Sequence, residues 1–212
     1  MLLNKLELRV LEISHKLKLS HLSSCLNAVN VIDMIYQVKK QEDIVVLSAG
    51  HLGLALYVVL EKNGLGNAEE LFEKHGVHPN RDLDHGIHVS TGSLGQGLPI
   101  AVGMALANRN RDVFVISTDG EMNEGSMWEA LRVAAENRLE NLKVSILANG
   151  YSAYGTVDED WLEQRVMAFY PCMVVRTNMF KYPDWLQGLQ GHYHVMSDEN
   201  YQEILNSLPK NG

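Results

Sequence analysis

The chain has 212 residues, of which 46% are hydrophobic and 21% charged, and its formal net charge is −8. This composition is that of a globular protein, and it excludes both intrinsic disorder and a basic surface for nucleic acid. The two cysteines, Cys25 and Cys172, exclude a disulfide framework and a four-cysteine zinc site. We therefore expect a reducing compartment and a single domain over residues 1–212.

The N-terminal half predicts two amphipathic helices, a strand and a third helix before a long loop. Apolar residues are spaced for one buried face in 1–18 and 26–36, and the first stretch lacks the apolar block of a signal peptide. Residues 43–48 predict a short β-branched strand, and 52–60 a helix. Residues 75–90 show little periodicity and include four histidines, which is typical of an ordered loop that lines a site.

Strand and helix patterns also alternate in the C-terminal half. A glycine-rich turn from Gly92 precedes a helix that ends near Ala107. The further predicted elements are a strand at 112–117, a helix at about 124–137, strands at 142–147 and 173–176, and a helix at 198–208. Because the two patterns alternate, we predict an α/β fold, a parallel sheet with helices on both faces. No run reaches the roughly 20 apolar residues of a membrane span, which favours a cytoplasmic protein.

Polar residues follow two consecutive predicted strands. Asp119 and Gly120 come after one strand, and Asn149 comes after the next, 30 positions beyond Asp119. One βαβ unit has about this length, so the carboxylate and the amide oxygen should emerge side by side. Both are hard oxygen ligands for Mg²⁺ or Ca²⁺, and a helix opening after Gly120 would direct free amides at an anion. Taken singly, Asp119 suits a helix cap and Asn149 a turn, but together they indicate a cation that holds a diphosphate.

Three segments carry a family resemblance. Residues 118–130, TDGEMNEGSMWEA, resemble the thiamine-diphosphate motif of the transketolase family. Residues 47–57, LSAGHLGLALY, are similar to the family's Ser-x-Gly-His segment, and residues 90–105, STGSLGQGLPIAVGMA, to its Thr-Gly-x-Leu-Gly-Gln-Gly signature. His21 and His78 fall where the family has two further site histidines, so the resemblance covers about residues 15–157. It implies the thiamine-diphosphate-binding fold, with the diphosphate-binding domain in this chain.

The resemblance assigns the diphosphate end of the cofactor to the strand ends. It implies that Asp119, Asn149 and the carbonyl of Tyr151 bind Mg²⁺, or Ca²⁺ in its place. Gly120 would offer its amide to the diphosphate, and His51 would contact the diphosphate or the substrate. The implied cofactors are thus thiamine diphosphate and a divalent cation.

Other positions are assigned to the body of the cofactor and to the substrate. The resemblance implies that Gly92 and Leu94 lie along the cofactor and that Glu124 joins a carboxylate network between two cofactor sites. His21 and His78 would recognise sugar hydroxyls and move protons, a task that suits a group with an ordinary pKa of about 6.5. The implied catalytic set is His21, His51, His78 and Glu124. Four further histidines are interpreted as structural: His85, His88, His192 and His194. For His192 an alternative stays open, a match to a histidine that closes the site in the family, although the surrounding sequence differs.

The resemblance also implies an incomplete enzyme. The family's pyrimidine-binding domain, with the glutamate that activates the cofactor, is absent from the sequence. We therefore expect one subunit of a split transketolase, active only with a partner that carries that domain. The complete enzyme would transfer a two-carbon ketol unit between sugar phosphates in carbohydrate metabolism. A homodimer or a heterotetramer is expected, without a nucleic acid or membrane partner.

Two alternatives stay open. Within the same chemistry, the chain could belong to a 1-deoxysugar-phosphate synthase or an acyloin synthase, although His21 and His78 favour sugar substrates. From another class, it could be a non-catalytic relative that binds and regulates a partner. Three departures from the family pattern motivate the second alternative: Thr118 in place of a glycine, Leu147 in place of an acidic or amide residue, and a short segment after Asn149.

Overall fold

The computed structural model describes residues 3–177 and 182–208, and its centre is a parallel sheet. Four strands pair side by side in chain order: β1 (Ile44–Leu47), β2 (Val113–Thr118), β3 (Leu142–Ala148) and β6 (Cys172–Arg176). Two short strands, β4 (Tyr151–Ser152) and β5 (Gly155–Thr156), form a separate antiparallel pair just after β3. Because the four long strands are parallel, their carboxyl ends lie along one edge of the sheet.

Helices connect the strands and cover the sheet. The α-helices of the described residues are α1 (Lys5–Leu17), α2 (Leu22–Val38), α3 (Gly53–Lys62), α4 (Ala68–His75), α5 (Gly97–Ala107), α6 (Gly125–Glu136), α7 (Glu159–Phe169), α8 (Gly188–Tyr193) and α9 (Asp198–Ser207). Among them, none is both long enough and apolar enough to cross a membrane.

Each face of the sheet has its own hydrophobic core. Alternate residues of β1 show the division, since Val45 and Leu47 pack with α1, α2 and α3, whereas Ile44 and Val46 pack with α5 and α6. All four of these side chains are buried, because helices lie on both sides of the sheet. The prediction of a parallel sheet with helices on both faces is confirmed.

Three helices, α4, α7 and the short α8, and a hairpin were not predicted from the sequence. Helix α4 begins after the cap Asn67, whose side chain accepts from two backbone amides, and α7 begins after the cap Asp158. The antiparallel pair β4 and β5 interrupts the connection from β3 to β6. The four predicted strands are confirmed, and so is the loop at 75–90, which follows directly on α4 and contains a short 3₁₀ turn at Leu83–His85 and an isolated bridge between Asp82 and Ile87.

Candidate functional site

A cavity of about 240 Å³ lies at the carboxyl edge of the sheet. It brings together residues from both halves of the chain. Nine of the ten predicted site residues line it: His21, His51, His78, Gly92, Leu94, Asp119, Gly120, Asn149 and Tyr151. The tenth, Glu124, does not line the cavity but lies behind its glycine-rich turn, where a Cβ built on Gly95 would fall 2.7 Å from the Glu124 Cβ.

Asp119 follows β2 and is buried at the base of the cavity. Its Oδ2 accepts hydrogen bonds from the backbone amides of Asn149 (2.9 Å) and Gly150 (2.8 Å), and its Oδ1 accepts from Gly120 (2.9 Å). The structure gives it no ion pair with any described residue. Burial raises the pKa of Asp119 to about 6, although the three amides lower it. A cation beside this carboxylate would therefore relieve an unfavourable buried charge.

The end of β3 brings further oxygen atoms to the same place. The side-chain oxygen of Asn149 accepts from the Tyr151 amide at 2.9 Å, which orients its amide group. The Tyr151 carbonyl oxygen lies near Gly120, because a Cβ built on Gly120 would be 3.7 Å from it. Gly120 itself has ordinary helical angles, φ −61° and ψ −39°. The backbone does not require glycine there, so the missing side chain leaves room in the cavity instead.

The expected row of free amides after Gly120 is not present. The Gly120 amide donates to Asp119, and the Glu121 amide donates to the Thr118 hydroxyl at 3.3 Å. A 3₁₀ turn at Glu121–Asn123 intervenes, and α6 begins only at Gly125. The prediction of a helix opening directly onto the anion was wrong at this point, because the Thr118 and Asp119 oxygens already satisfy the first amides.

The oxygen atoms at the strand ends fit a magnesium ion that also binds a ligand. Across the described residues, no group of three His, Cys, Asp or Glu side chains is placed to hold a metal ion. A cation here would instead use one carboxylate, the Asn149 amide oxygen and the Tyr151 carbonyl, with the ligand's own oxygens completing its shell. Magnesium is commonly bound by one or two carboxylates together with phosphate oxygens.

Histidines form another wall of the cavity. The rings of His21, His51 and His192 lie with centroids 4.5 to 5.5 Å apart. His21 caps α2 with a left-handed φ of 64°, and its amide donates to the His192 carbonyl at 2.9 Å. A left-handed backbone is uncommon for a residue with a side chain, so the contact with His192 helps to fix it.

The histidine wall is uncharged at neutral pH. Burial, together with the neighbouring histidines, lowers the pKa of His51 to about 3 and that of His21 to about 4. Burial also lowers the pKa of His192. Neutral imidazoles can donate and accept hydrogen bonds, which suits a ligand with hydroxyl groups. Such a wall does not supply positive charge to a phosphate.

His78 comes from the loop after α4 and packs against the glycine-rich turn. A Cβ built on Gly92 would lie 3.0 Å from the His78 Cγ, so the ring rests on the bare backbone of Gly92. Leu94, two residues later, presents an apolar side chain to the same cavity. The predicted cofactor-lining segment and a predicted substrate histidine therefore meet in space.

Two residues of the site were missed by sequence reasoning. The structural interpretation of His192 is corrected, because His192 lines the cavity and its Nδ1 lies 2.9 Å from the Ser24 hydroxyl. Nothing in the residues around it signals this position. Glu121 is fully buried beneath the cavity, and the Asp119-Gly120-Glu121 order could have drawn attention to it. Thr118 and Leu147, the departures from the family pattern, both line the cavity.

Comparison with known proteins gives one consistent family. The family model described as "Transketolase, thiamine diphosphate binding domain" matches residues 36–176. A protein named as an apulose-4-phosphate transketolase subunit, from Phocaeicola vulgatus, is 33% identical over 171 residues, which cover 71% of this chain and 60% of that protein. Its namesake from Actinobacillus succinogenes is 36% identical over 115 residues, 50% of this chain and 42% of that protein.

Solved structures agree on the fold. A transketolase from Leishmania mexicana superposes with a TM-score of 0.68 at 23% identity, over 81% of this chain and 35% of that chain. A transketolase mutant from Pichia stipitis superposes with a TM-score of 0.70 at 20% identity, over 94% of this chain and 39% of that chain. The chain thus spans less than two thirds of the length of each of these proteins.

Proposed function

The chain belongs to the transketolase family and carries its thiamine-diphosphate-binding domain, and we propose that this domain forms the diphosphate and magnesium half of a two-chain transketolase. The observation that carries the proposal is the buried Asp119, without a cationic partner among the described residues, beside the Asn149 amide and the Tyr151 carbonyl. All three open into the cavity that the neutral histidines face.

In this proposal the ends of β2 and β3 bind the cation and the diphosphate, and the histidines bind the substrate. Asp119, Asn149 and the Tyr151 carbonyl hold Mg²⁺, and the open space over Gly120 admits the diphosphate. The bound cofactor supplies a carbon nucleophile that carries the two-carbon unit of the substrate. His21, His51 and His78 hydrogen-bond the hydroxyls of a sugar phosphate, since a neutral imidazole can both donate and accept a hydrogen bond. Glu124, behind the glycine-rich turn, would join a carboxylate network between two cofactor sites.

A second chain completes the enzyme in this proposal. The relatives from Phocaeicola and Actinobacillus are both named as one subunit of a transketolase, which supports a partner that carries the pyrimidine-binding domain. The single-domain assignment over residues 1–212, the cytoplasmic location and a homodimer or heterotetramer stay predictions. The same proposal includes a substrate similar to apulose 4-phosphate, the compound in the names of those two relatives.

Calorimetric titration of thiamine diphosphate with Mg²⁺ tests the proposal directly. We expect Mg²⁺-dependent binding that tightens when a pyrimidine-domain chain is added and disappears in Asp119→Ala. Asp84→Ala, an exposed aspartate away from the cavity, is the matched control and should bind like the wild type. Ketose phosphates turned over by the complex would favour a transketolase. Pyruvate turned over instead would favour a 1-deoxysugar-phosphate or acyloin synthase.

A non-catalytic role is the second candidate, because Thr118 and Leu147 face the cavity where the family pattern has other residues. Thr118 places a methyl group and a hydroxyl beside Gly120, and Leu147 adds an apolar surface. Absence of cofactor binding by the wild-type chain and its partner complex, with the complex still forming, would establish this second function and contradict the first.

A further inference from the structure

Glu121 is a fully buried carboxylate that the proposed chemistry does not use. It begins the 3₁₀ turn after Gly120 and lies beneath the cavity. Its Oε1 accepts from the Ser48 hydroxyl at 2.8 Å and the Gly95 amide at 3.0 Å, and its Oε2 accepts from the Ser117 hydroxyl at 2.8 Å. One side chain thereby joins the ends of β1 and β2 to the glycine-rich turn.

The donors to Glu121 are themselves part of a longer chain of hydrogen bonds. The Ser48 oxygen accepts from the Leu98 amide at 3.2 Å, in the first turn of α5. The Gly95 carbonyl accepts from the Ser126 hydroxyl at 2.7 Å, so α6 holds the peptide group after Gly95 and Glu121 holds the one before it. The turn is thus fixed at Gly95 and at Leu98, in the first turn of the helix that follows it.

Steric contacts leave this turn little freedom. Gly95 has a φ of +80°, and a Cβ built there would lie 2.4 Å from the Ser126 Oγ. The turn carries Gly92 and Leu94, which line the same cavity as Asp119 and Gly120. A shift of the turn would therefore change the width of the cavity directly.

Glu121 reaches this position at a cost. A carboxylate that is wholly removed from water is unfavourable unless several donors compensate it, and here the donors are two hydroxyls and one amide. None of the described lysine, arginine or histidine side chains forms an ion pair with it. An apolar side chain of the same size would fill the space, but it would leave the Gly95 amide and the Ser48 hydroxyl without their acceptor.

We propose that Glu121 is a positioning residue, which holds the glycine-rich turn with Gly92 and Leu94 at a fixed distance from the ends of β1 and β2 and so preforms the cavity. The proposal rests on the proposed function only for the identity of the ligand. The holding of the turn is a property of the free chain.

Two substitutions at Glu121 separate its acceptor role from its volume. Glu121→Gln keeps an oxygen for Ser48 and Gly95, and its amide group can donate to Ser117, whose hydroxyl can turn to the Thr118 carbonyl 3.5 Å away. Glu121→Met fills the same space without an acceptor. We expect amide hydrogen exchange at Gly95 to quicken about tenfold or more in the methionine variant and to stay within about threefold in the glutamine variant.

The amide of Val144 in the sheet core is the internal control, since it should exchange at the wild-type rate in both variants. Titration of thiamine diphosphate with Mg²⁺ should follow the same order, weakened about tenfold or more by methionine and nearly retained by glutamine. Unchanged exchange at Gly95 in a folded methionine variant would overturn the proposal. An equal increase in Gly95 exchange and an equal loss of cofactor binding in both variants would also overturn it. The acceptor oxygen, which only the glutamine variant keeps, would then have no effect on the turn.

If Glu121→Met does not fold, two serine variants decide the question. Ser48→Ala breaks the link to Leu98, whereas Ser117→Ala removes a donor that does not touch the turn. Neither serine is the partner of the Gly95 amide, so either variant can reach that amide only through Glu121. Faster exchange at Gly95 in either variant supports the proposal, and wild-type exchange at Gly95 in both contradicts it. Lack of cofactor binding by the wild type would refute the proposed function, while the exchange rates would still decide the role of Glu121.

Discussion

The two walls of the cavity are built in different ways. The carboxylate wall, Asp119 with Asn149, rises from adjacent strands whose register pairs Thr118 with Leu147. The histidine wall, His21 with His51 and His192, gathers a helix cap, a 3₁₀ turn and a short helix from distant parts of the chain. Sheet pairing therefore positions one wall by local rules, whereas the other exists only because α8 folds back onto the start of α2.

Burial acts on the two walls in opposite directions. It raises the pKa of Asp119 to about 6 and lowers the pKa of His21 to about 4, because removal from water disfavours the charged form of either group. Both walls are therefore driven towards neutrality in the free protein. Only the carboxylate wall would gain from a cation, which is why we place the metal there and the sugar hydroxyls at the histidine wall.

The largest expected effect comes from removing the carboxylate. Asp119→Ala takes away the acceptor of three backbone amides, at Gly120, Asn149 and Gly150, and should lower the free energy of unfolding by about 3 kcal/mol. Urea denaturation of this variant and of Asp84→Ala measures the difference. A loss no larger than that of the control would show that the amides find water in place of Asp119.

Acid should destabilise the protein through the histidine wall. The folded pKa of His51, about 3, lies below its unfolded value of 6.5, so the folded state binds fewer protons and stability falls as the pH drops below about 6.5. His51→Gln removes this contribution, so the variant should lose about 2 kcal/mol less than the wild type between pH 7 and pH 5. Denaturation curves at the two pH values test this, and equal losses would contradict the lowered pKa.

The carboxylate wall should show the reverse sign. The folded pKa of Asp119, about 6, lies above its unfolded value of 3.8, so its contribution to stability is present at low pH and is lost as the pH rises through 6. Asp119→Asn lacks that gain on acidification, and it should lose roughly 1 kcal/mol more than the wild type between pH 7 and pH 5. The same denaturation series in the absence of Mg²⁺ measures it, and a smaller loss than in the wild type would break the contrast between the walls.

The smallest effect on stability is expected at Gly120. Its angles are helical and a Cβ would meet Ser152 at an ordinary 3.5 Å, so Gly120→Ala should change the free energy of unfolding by less than about 1 kcal/mol. Binding of thiamine diphosphate with Mg²⁺ should nevertheless weaken about tenfold, because the methyl group enters the cavity. Gly95→Ala is the contrasting control, since its positive φ and 2.4 Å contact should destabilise the fold itself. Unimpaired binding by a stable Gly120→Ala would argue against a diphosphate at this place.

The sequence predicted the carboxylate wall because this wall depends only on local strand patterns and on the pairing of consecutive strands. Buried β-branched runs marked β2 and β3, and parallel pairing of consecutive strands places whatever follows them side by side. Helices α4 and α8 escaped prediction because they are short, with eight and six residues. Helix α7 escaped it because only Leu162 and Val166 are buried, so its sequence shows no clear apolar face. Asn67 and Asp158 are nevertheless good helix caps. The direction of the first amides after Gly120 also escaped prediction, since the Thr118 hydroxyl competes for them.

By itself, the sequence determined the α/β class, the strand ends that form one wall and the family of the domain. Only the tertiary structure decided that His192 joins His21 and His51, and that Glu121 is buried under the glycine-rich turn. The reason is physical. Strand periodicity and pairing are set by neighbours in the chain, whereas burial of a lone polar side chain depends on which distant donors the fold brings to it.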